Sequence, residues 1–584
     1  MSFLLLLTKV VLNARTFWLI WFTITVTAAI CVARVVGQRA TPMVRGAEKA
    51  SIIRKPRYVW SRGAVVALTL LALFLVGHIV LTLTWEDFAY GDNSMFTLGT
   101  LKGHDKVPPI WPQRGRFYPL GQQEFNLIRH FTRTAVGYHA LPILQLLALC
   151  GLLLILDEEL GITARAALTA FALVTPGIVM NFGGLIHVER NVVLWLVCLV
   201  LFIKRFEKTQ ATAWAVAAVV SAQIMIYYKE TAFLLLGGLT VGRLVLRCWN
   251  ADRAGWDYER LRDKESRLDL CLLSLAVLFL LNYVFAMFPN LHMQYAHEHT
   301  APAAKVVLAY IGFDLLVWLF VALVLGRAYL ILRRRVPPLP LWDGLAFGGM
   351  ACFTAYLYLG IFSDHYLAPV ELIAVLYVGR FAILSWGRRS LGSKVAIMAL
   401  LGAVLFQDVS VSAFGVFERK NVIHGKAEIA RVIKARYQSG AGNVQRLFFP
   451  FATPYWVMEF GAYLSYRGVP VEGVPAESAG LNSVALVSRA VAKDGPCVGY
   501  RSPVCHAGSS PDPGDLVIVL PDDYASLSET TPYLSGGELL FSYEPRPRIP
   551  PWLYPLVGPF RVASSAFLPI KHPDRWLHAS VTAW

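Results

Sequence analysis

The stretch Trp85-Glu86-Asp87-Phe88-Ala89-Tyr90-Gly91-Asp92-Asn93 holds three carboxylates within seven residues. Glu86, Asp87 and Asp92 are candidate catalytic bases, because a carboxylate can take a proton from an attacking hydroxyl. Cations follow at Arg114 and Arg116, in Arg114-Gly-Arg-Phe-Tyr-Pro-Leu-Gly, and at Lys229, beside Glu230. Arg grips a phosphate through its planar fork and Lys through a point charge. Together these residue types suit displacement at a carbon bearing a lipid-linked phosphate. His187, Glu189, Arg190, Asp364, His365, Tyr366 and Glu371 add further polar groups, as do His292, His297, Glu298 and His299. A divalent cation on carboxylates and a His is an open alternative, and no metal ligand is assigned. No HExxH, P-loop, GxSxG or Rossmann pattern stands in a convincing context, so a soluble-type nucleotide site is unsupported.

The elements that must position these residues are apolar. Of 584 residues, 56% are hydrophobic and 16% charged, and the mean hydropathy is +0.52. That composition describes a polytopic α-helical membrane protein. Candidate spans are Phe17–Ala33, Ala64–Leu83, Tyr138–Leu156, Ala164–Phe182, Asn191–Ile203, Ala211–Tyr227, Thr231–Leu246, Leu270–Phe288, Val306–Leu332, Gly344–Phe362, Val370–Trp386 and Val395–Val411. Allowing for one short or broken stretch, about 11–13 helices cross. A lone charge at a helix end is ordinary, since deeper placement in hydrocarbon is costly. The case for chemistry is that so many share one boundary.

Net charge is +16, but the basic residues lie in short loops rather than in a basic–aromatic patch, which excludes a nucleic-acid face. The loops 34–63, 204–210, 247–268, 333–343 and 387–394 hold 23 Lys and Arg. Loops 187–190, 229–230, 289–305 and 363–369 hold three. The asymmetry puts the first set in the cytoplasm; the acidic loop Asp157–Thr163 runs against it. The loop 84–137 and everything after about 412 then lie outside. The N-terminus does not read as a cleaved signal, and residues 3–33 form either a hairpin or an interfacial helix.

Three regions result: a membrane segment and basic loop at 1–63, a transmembrane catalytic region at 64–411, and an extracytoplasmic α/β domain at 412–584. Expected elements are a helix at Asn93–Leu101, a surface helix carrying Phe125, Ile128 and Phe131, and a helix at 424–438. Strands at Leu447–Phe451 and Leu516–Leu520 flank a helix at Tyr455–Tyr466. Cys497 and Cys505 stand eight apart in this polar region, so a disulfide there fits the outer compartment. The other six cysteines fall in or beside apolar runs.

With these residues in hand, the chain resembles the GT-C superfamily of polytopic glycosyltransferases, most closely the bacterial branch of aminoarabinose transferases and protein O-mannosyltransferase-like enzymes. Four features carry the resemblance: the acids opening the first outer loop, Gly115-Arg-Phe-Tyr-Pro, Tyr227-Tyr-Lys-Glu-Thr-Ala-Phe, and His365-Tyr-Leu-Ala-Pro. It implies a sugar donor on a polyprenyl phosphate, an extracytoplasmic acceptor, and an acid of the first outer loop as base. The family pattern is Asp then Glu, with an aromatic four residues after the Asp. Here Asp92 is followed by Asn93, with Phe96 at the aromatic position, while Asp87 follows Glu86. The base is Asp92 or Asp87, with Asp92 preferred. Arg116 and Lys229 resemble the residues that meet the donor phosphate, and His365 and Tyr366 the later loop lining the same cavity. A transporter, flippase or ligase for a lipid-linked saccharide is the alternative. The absence of any Asn-x-Ser/Thr sequon favours a bacterial inner membrane. Sugar transfer requires Asp87, Asp92, Arg116, Lys229 and His365 to meet in one pocket.

Overall fold

The computed structural model describes residues 62–106, 108–111, 115–250, 255–287, 314–361, 365–439, 446–473, 483–489, 504–523, 527–543 and 580–583, with isolated positions between 23 and 34 and between 304 and 310. Arg114, Asp364, Cys497 and the group His292, His297, Glu298 and His299 lie outside them, as does most of 1–63.

The described chain opens with α1 (Arg62–Trp85), then α2 (Asn93–Leu101), the short strands β1 (Ile110–Trp111) and β2 (Arg116–Phe117), and α3 (Glu124–Ile128). Next come α4 (Ala135–Leu156), α5 (Ile162–Val174), α6 (Pro176–Gly183), α7 (Glu189–Thr209), α8 (Thr212–Tyr228) and α9 (Ala232–Cys248). The pair β3 (Trp249–Asn250) and β4 (Gly255–Trp256) precedes α10 (Lys264–Met287), α11 (Leu315–Leu332), α12 (Pro340–Leu359), α13 (Ala368–Ser385) and α14 (Leu391–Gln438). The remainder is β5 (Arg446–Phe449), α15 (Pro454–Tyr466), β6 (Ala485–Ser488), β7 (Cys505–Ala507), β8 (Leu516–Val519), α16 (Leu527–Leu534), β9 (Glu538–Ser542) and β10 (Ser580–Ala583).

Among the described residues, α1, α4, α10, α11, α13 with its preceding turn, and α14 are long and apolar enough to cross a membrane. The bent pair α5–α6 makes a seventh if it counts as one span. By length and composition the chain is a helical membrane protein. Helix α1 leaves Val65, Val66, Leu70, Leu73, Val76 and Val80 exposed, an apolar face that lipid would cover. Helices α9 and α12 instead pack backbone on backbone. A Cβ on Gly348 would sit 2.5 Å from Leu235 O, and one on Gly238 2.8 Å from Gly348 Cα, so only glycine allows this approach.

Several expected elements change form. The run Ala164–Phe182 breaks by 70° at Thr175-Pro176. Proline pushes Thr175 out of the helical region, to φ −67° and ψ 143°, and then starts α6 at its first position. Asn191–Ile203 extends to the 21 residues of α7, whose terminal charges find partners. The run from Val306 is interrupted at the extended residue Asp314, whose carboxylate caps α11 by accepting from Val317 N at 3.1 Å. Val395–Val411 and 424–438 are one helix, the 48-residue α14, about 72 Å long. The surface helix shrinks to five residues, with Phe125 buried and Phe131 exposed. Asn93–Leu101 stands as expected.

The acidic loop beyond α4 also finds its explanation. Asp157 meets Lys204 at 2.7 Å and also pairs with Arg380, while Glu158 meets Arg205 at 2.6 Å and Lys208 at 2.8 Å. Its charge is answered by basic residues of the same bundle end.

The C-terminal region forms a six-stranded mixed sheet in the order β7-β6-β5-β8-β10-β9. Strands β5 to β8 run parallel, and β10 pairs antiparallel with both β8 and β9. Cys505 is buried on β7, at the sheet edge; the disulfide expected with Cys497 falls partly outside the described residues. Among the described residues the two large apolar cores lie in the bundle and under the sheet, with a small third cluster of Phe448, Val487 and Val517. Helix α14 feeds both large cores, with Val404 in the first and Ile423, Ile429 and Ile433 in the second. Phe88, Leu98, Leu101 and Phe125 of the first connecting region also join the sheet core.

Gly348→Val should destabilise the protein by about 1–3 kcal/mol through overpacking. Gly326→Ala, on α11 with open space at its Cβ position, should leave stability unchanged or raise it by less than about 1 kcal/mol. Thermal unfolding of the detergent-solubilised protein distinguishes these outcomes.

Candidate functional site

At one end of the bundle, polar residues from four separated segments meet. Lys229 takes an extended conformation, φ −153° and ψ 131°, which ends α8 and turns the chain into α9. The connecting region reaches this turn through Leu120 N, which donates to Tyr227 O at 3.0 Å. That bond sets the β1–β2 pair beside Lys229. The turn before α7 supplies His187, the first residue of α7 supplies Glu189, and the 3₁₀ turn ahead of α13 supplies His365 and Tyr366.

The contacts are close. Lys229 Nζ lies 2.8 Å from Glu189 Oε1, and Arg116 Nε lies 2.5 Å from Glu230 Oε1. Aromatic faces line the same space: Lys229 Nζ stands 4.0 Å from the Tyr366 ring centre, and the Arg116 guanidinium 4.7 Å from that of Tyr118. Tyr366 stacks on Tyr356, whose hydroxyl hydrogen-bonds Thr231 at 2.8 Å. The His187 and His365 rings are 4.5 Å apart. Burial, first among its causes, holds the Tyr118 phenol well above its ordinary range, so it stays a neutral donor.

His187, Glu189 and His365 each present a ligand atom within 4.8 Å of the others. Two imidazoles and a carboxylate are a donor set for zinc or a similar ion. Lys229 already stands on that carboxylate, so an ion here would displace or share it.

Arg190 has a different part. It is wholly buried, meets Glu124 at 2.6 Å, and donates to the carbonyls of Leu185 at 2.6 Å and His187 at 2.9 Å. It clamps the turn that carries His187 and positions that side chain.

The acids of the first connecting region face elsewhere. Asp87 accepts from the Tyr463 hydroxyl at 2.6 Å, and Asp92 from Tyr455; both tyrosines belong to α15. Glu86 is buried against Arg419 of α14 at 2.7 Å. Burial pushes the Glu86 carboxyl up from its ordinary value, and Arg419 pulls against that rise. Burial and then the Asp87 charge keep the Tyr463 phenol protonated, as a donor. Neither Asp87 nor Asp92 forms a hydrogen bond or ion pair with Arg116, Lys229 or His365 among the described residues. The bases, the two histidines and Tyr366 therefore come together, and the two aspartates do not join them. Phe88 and Leu98 anchor the acidic stretch in the sheet core, turning its carboxylates toward α15.

Sequence reasoning missed Arg419, Tyr455, Tyr463 and Lys106. The Lys106 ammonium is buried 3.3 Å from the Phe96 ring centre without a hydrogen-bond partner. Burial holds it well below the ordinary lysine range, against the pull of Glu124 and Asp92. The tyrosines left one signal, their spacing along a predicted helix; the partners of Glu86 and Lys106 left none.

No protein-family model matches the chain, and no curated protein matches it either.

Lys229→Met strands the buried Glu189 carboxylate and is expected to cost about 3–5 kcal/mol, with Glu189→Gln costing a comparable amount. The double variant should recover much of the sum. Melting curves of the four proteins in detergent form the cycle, and additive losses would show that the two residues do not interact.

Proposed function

We propose that this protein is an integral-membrane glycosyltransferase that moves a sugar from a polyprenyl-phosphate donor to an extracytoplasmic acceptor. The single observation that carries the reading is the meeting of Arg116, Lys229, His365 and Tyr366, from distant parts of the chain, in one cluster with Tyr118. In the proposed reaction, Asp92 or Asp87 takes the acceptor's hydroxyl proton. The oxygen attacks the anomeric carbon, and the bond from that carbon to the phosphate oxygen breaks with its electrons on the phosphate. Arg116 and Lys229 hold that leaving group. Each cation now stands on a carboxylate, Glu230 or Glu189, so donor phosphate would share them. The Tyr455 and Tyr463 hydroxyls lie on the aspartates as an acceptor hydroxyl would. Because the aspartates stand on α15 and not with Arg116 and Lys229, the scheme requires α15 to withdraw and the acidic stretch to turn toward those cations before transfer.

The cluster end of the bundle and the sheet domain are assigned to the outer face of a bacterial inner membrane. Support comes from the excess of Lys and Arg in the loops at the opposite end.

A second reading, transport of a lipid-linked saccharide, is favoured by a different feature. The 70° break between α5 and α6 lies against buried Glu371, which accepts from Gly177 N at 2.9 Å. Broken helices with polar groups inside the bundle are a transporter trait.

Reconstituted protein supplied with polyprenyl-phosphate sugars and envelope acceptors decides between them. Asp92→Asn or Asp87→Asn should lower transfer by about 10²–10⁴-fold, as expected for loss of a general base. Lys229→Met should weaken donor use. Full transfer in both Asp variants would sink the mechanism, and saccharide crossing vesicles with no glycosidic bond formed would favour transport.

A further inference from the structure

Three carboxyls gather beside the α5–α6 break, away from the cluster described above. Asp314 caps α11, Glu371 and Asp408 lie on α13 and α14, and none is exposed at all. Glu371 accepts the Gly177 N–H with both oxygens, at 2.9 and 3.1 Å. Gly177 makes this possible, because a Cβ there would sit 2.7 Å from Glu371 Oε2. Asp314 Oδ1 takes the Val317 N–H, while Asp314 Oδ2 has no donor of its own. Leu315 N, next to Asp314, donates to Gln407 Oε1 at 2.9 Å, and the Ser412 hydroxyl, one turn on from Asp408, donates to Val174 O at 2.7 Å, which holds both acids beside the break. Asp408, the third member, has no hydrogen-bond partner on either oxygen.

Among the described residues, no cation pairs with these groups. Around them, Arg165 of α5 donates to Leu154 O, Arg327 of α11 and Asp343 of α12 pair with each other, and Arg380 of α13 pairs with Asp157. Arg419 of α14 is held by Glu86, and Glu189 and Arg190 of α7 by Lys229 and Glu124. Arg380 is the nearest of these basic residues along its own helix, nine residues from Glu371 or about 13 Å. Ionised carboxylates can only accept hydrogen bonds, so buried acids beside one another with no cation need protons to escape uncompensated charge. An ionised Asp408 in this interior would be an uncompensated buried charge. Among the described residues, the group whose ligand atoms are placed to hold a metal ion is His187, Glu189 and His365, not these three carboxyls.

We propose that Asp314, Glu371 and Asp408 form a proton-binding site inside the helix bundle, with two protons held among the three carboxyls. The site has a direct mechanical link to the cluster at the bundle end. Asn181 of α6 donates to Gly177 O at 2.8 Å and to His365 O at 2.7 Å, so one short helix touches both the Glu371 anchor and the His365 turn. The inference stands apart from sugar transfer.

Infrared spectra of the full-length protein in lipid, compared in H₂O and D₂O, provide the test. At neutral pH the protein should show the C=O stretch of buried protonated carboxyls, shifting in D₂O. Asp408→Asn and Glu371→Gln should each remove intensity equal to about one carboxyl, and the band should be the same in sodium and choline chloride. Retention of the full band in both variants would overturn the proposal. A band that appears only when sodium is withheld would overturn it too, by showing that a metal ion takes the protons' place. Should either variant fail to fold, the wild-type band decides: its absence at neutral pH refutes the site, and its loss only in alkali supports it.

Discussion

A charge buried in this bundle has to be answered from inside it, and most of the polar architecture follows from that constraint. In a low-dielectric interior an unpaired ion costs far more than a paired one. Arg243 sits on Asp269 at 2.7 Å with both side chains fully buried, and Arg327 sits on Asp343 at 2.6 Å. The cluster at the bundle end obeys the same rule, with Lys229 on Glu189 and Arg116 on Glu230. The carboxyls beside the helix break are a conspicuous departure. They can be neutral only by carrying protons.

The second constraint is mechanical. Helix α14 belongs to the apolar cores of both the bundle and the sheet region, so the two are joined by continuous helix rather than by a linker. The first connecting region reinforces the joint, because Phe88, Leu98 and Phe125 pack under the sheet while β2 reaches the end of α8. One short segment thus faces two ways: its acids meet the tyrosines of α15, and its arginine meets Glu230. A movement of α15 would uncover the aspartates without disturbing the paired bases.

Much of this was legible in the residues. The helical membrane class, α2 and the core of the sheet region follow from apolar run length and periodicity, which are local properties. The association of Arg116, Lys229, Glu230, His187, Glu189, His365 and Tyr366 was anticipated from their shared position at helix ends. Asp314 and Asp408 carried a signal that went unused: each is a lone acid inside an apolar run, where a charge needs a reason.

The amino-acid sequence alone determined what each segment could be, because hydrophobic length, proline at 176 and charge at helix ends act over a few residues. It did not determine which partner each charge would take. Asp87 and Asp92 lie five residues apart, and nothing local separates a carboxylate that meets a phosphate-holding lysine from one that meets a tyrosine about 370 residues away. That choice was made by the tertiary structure. Packing of Phe88 and Leu98 into a core built largely by the C-terminal sheet sets the direction in which the acids point.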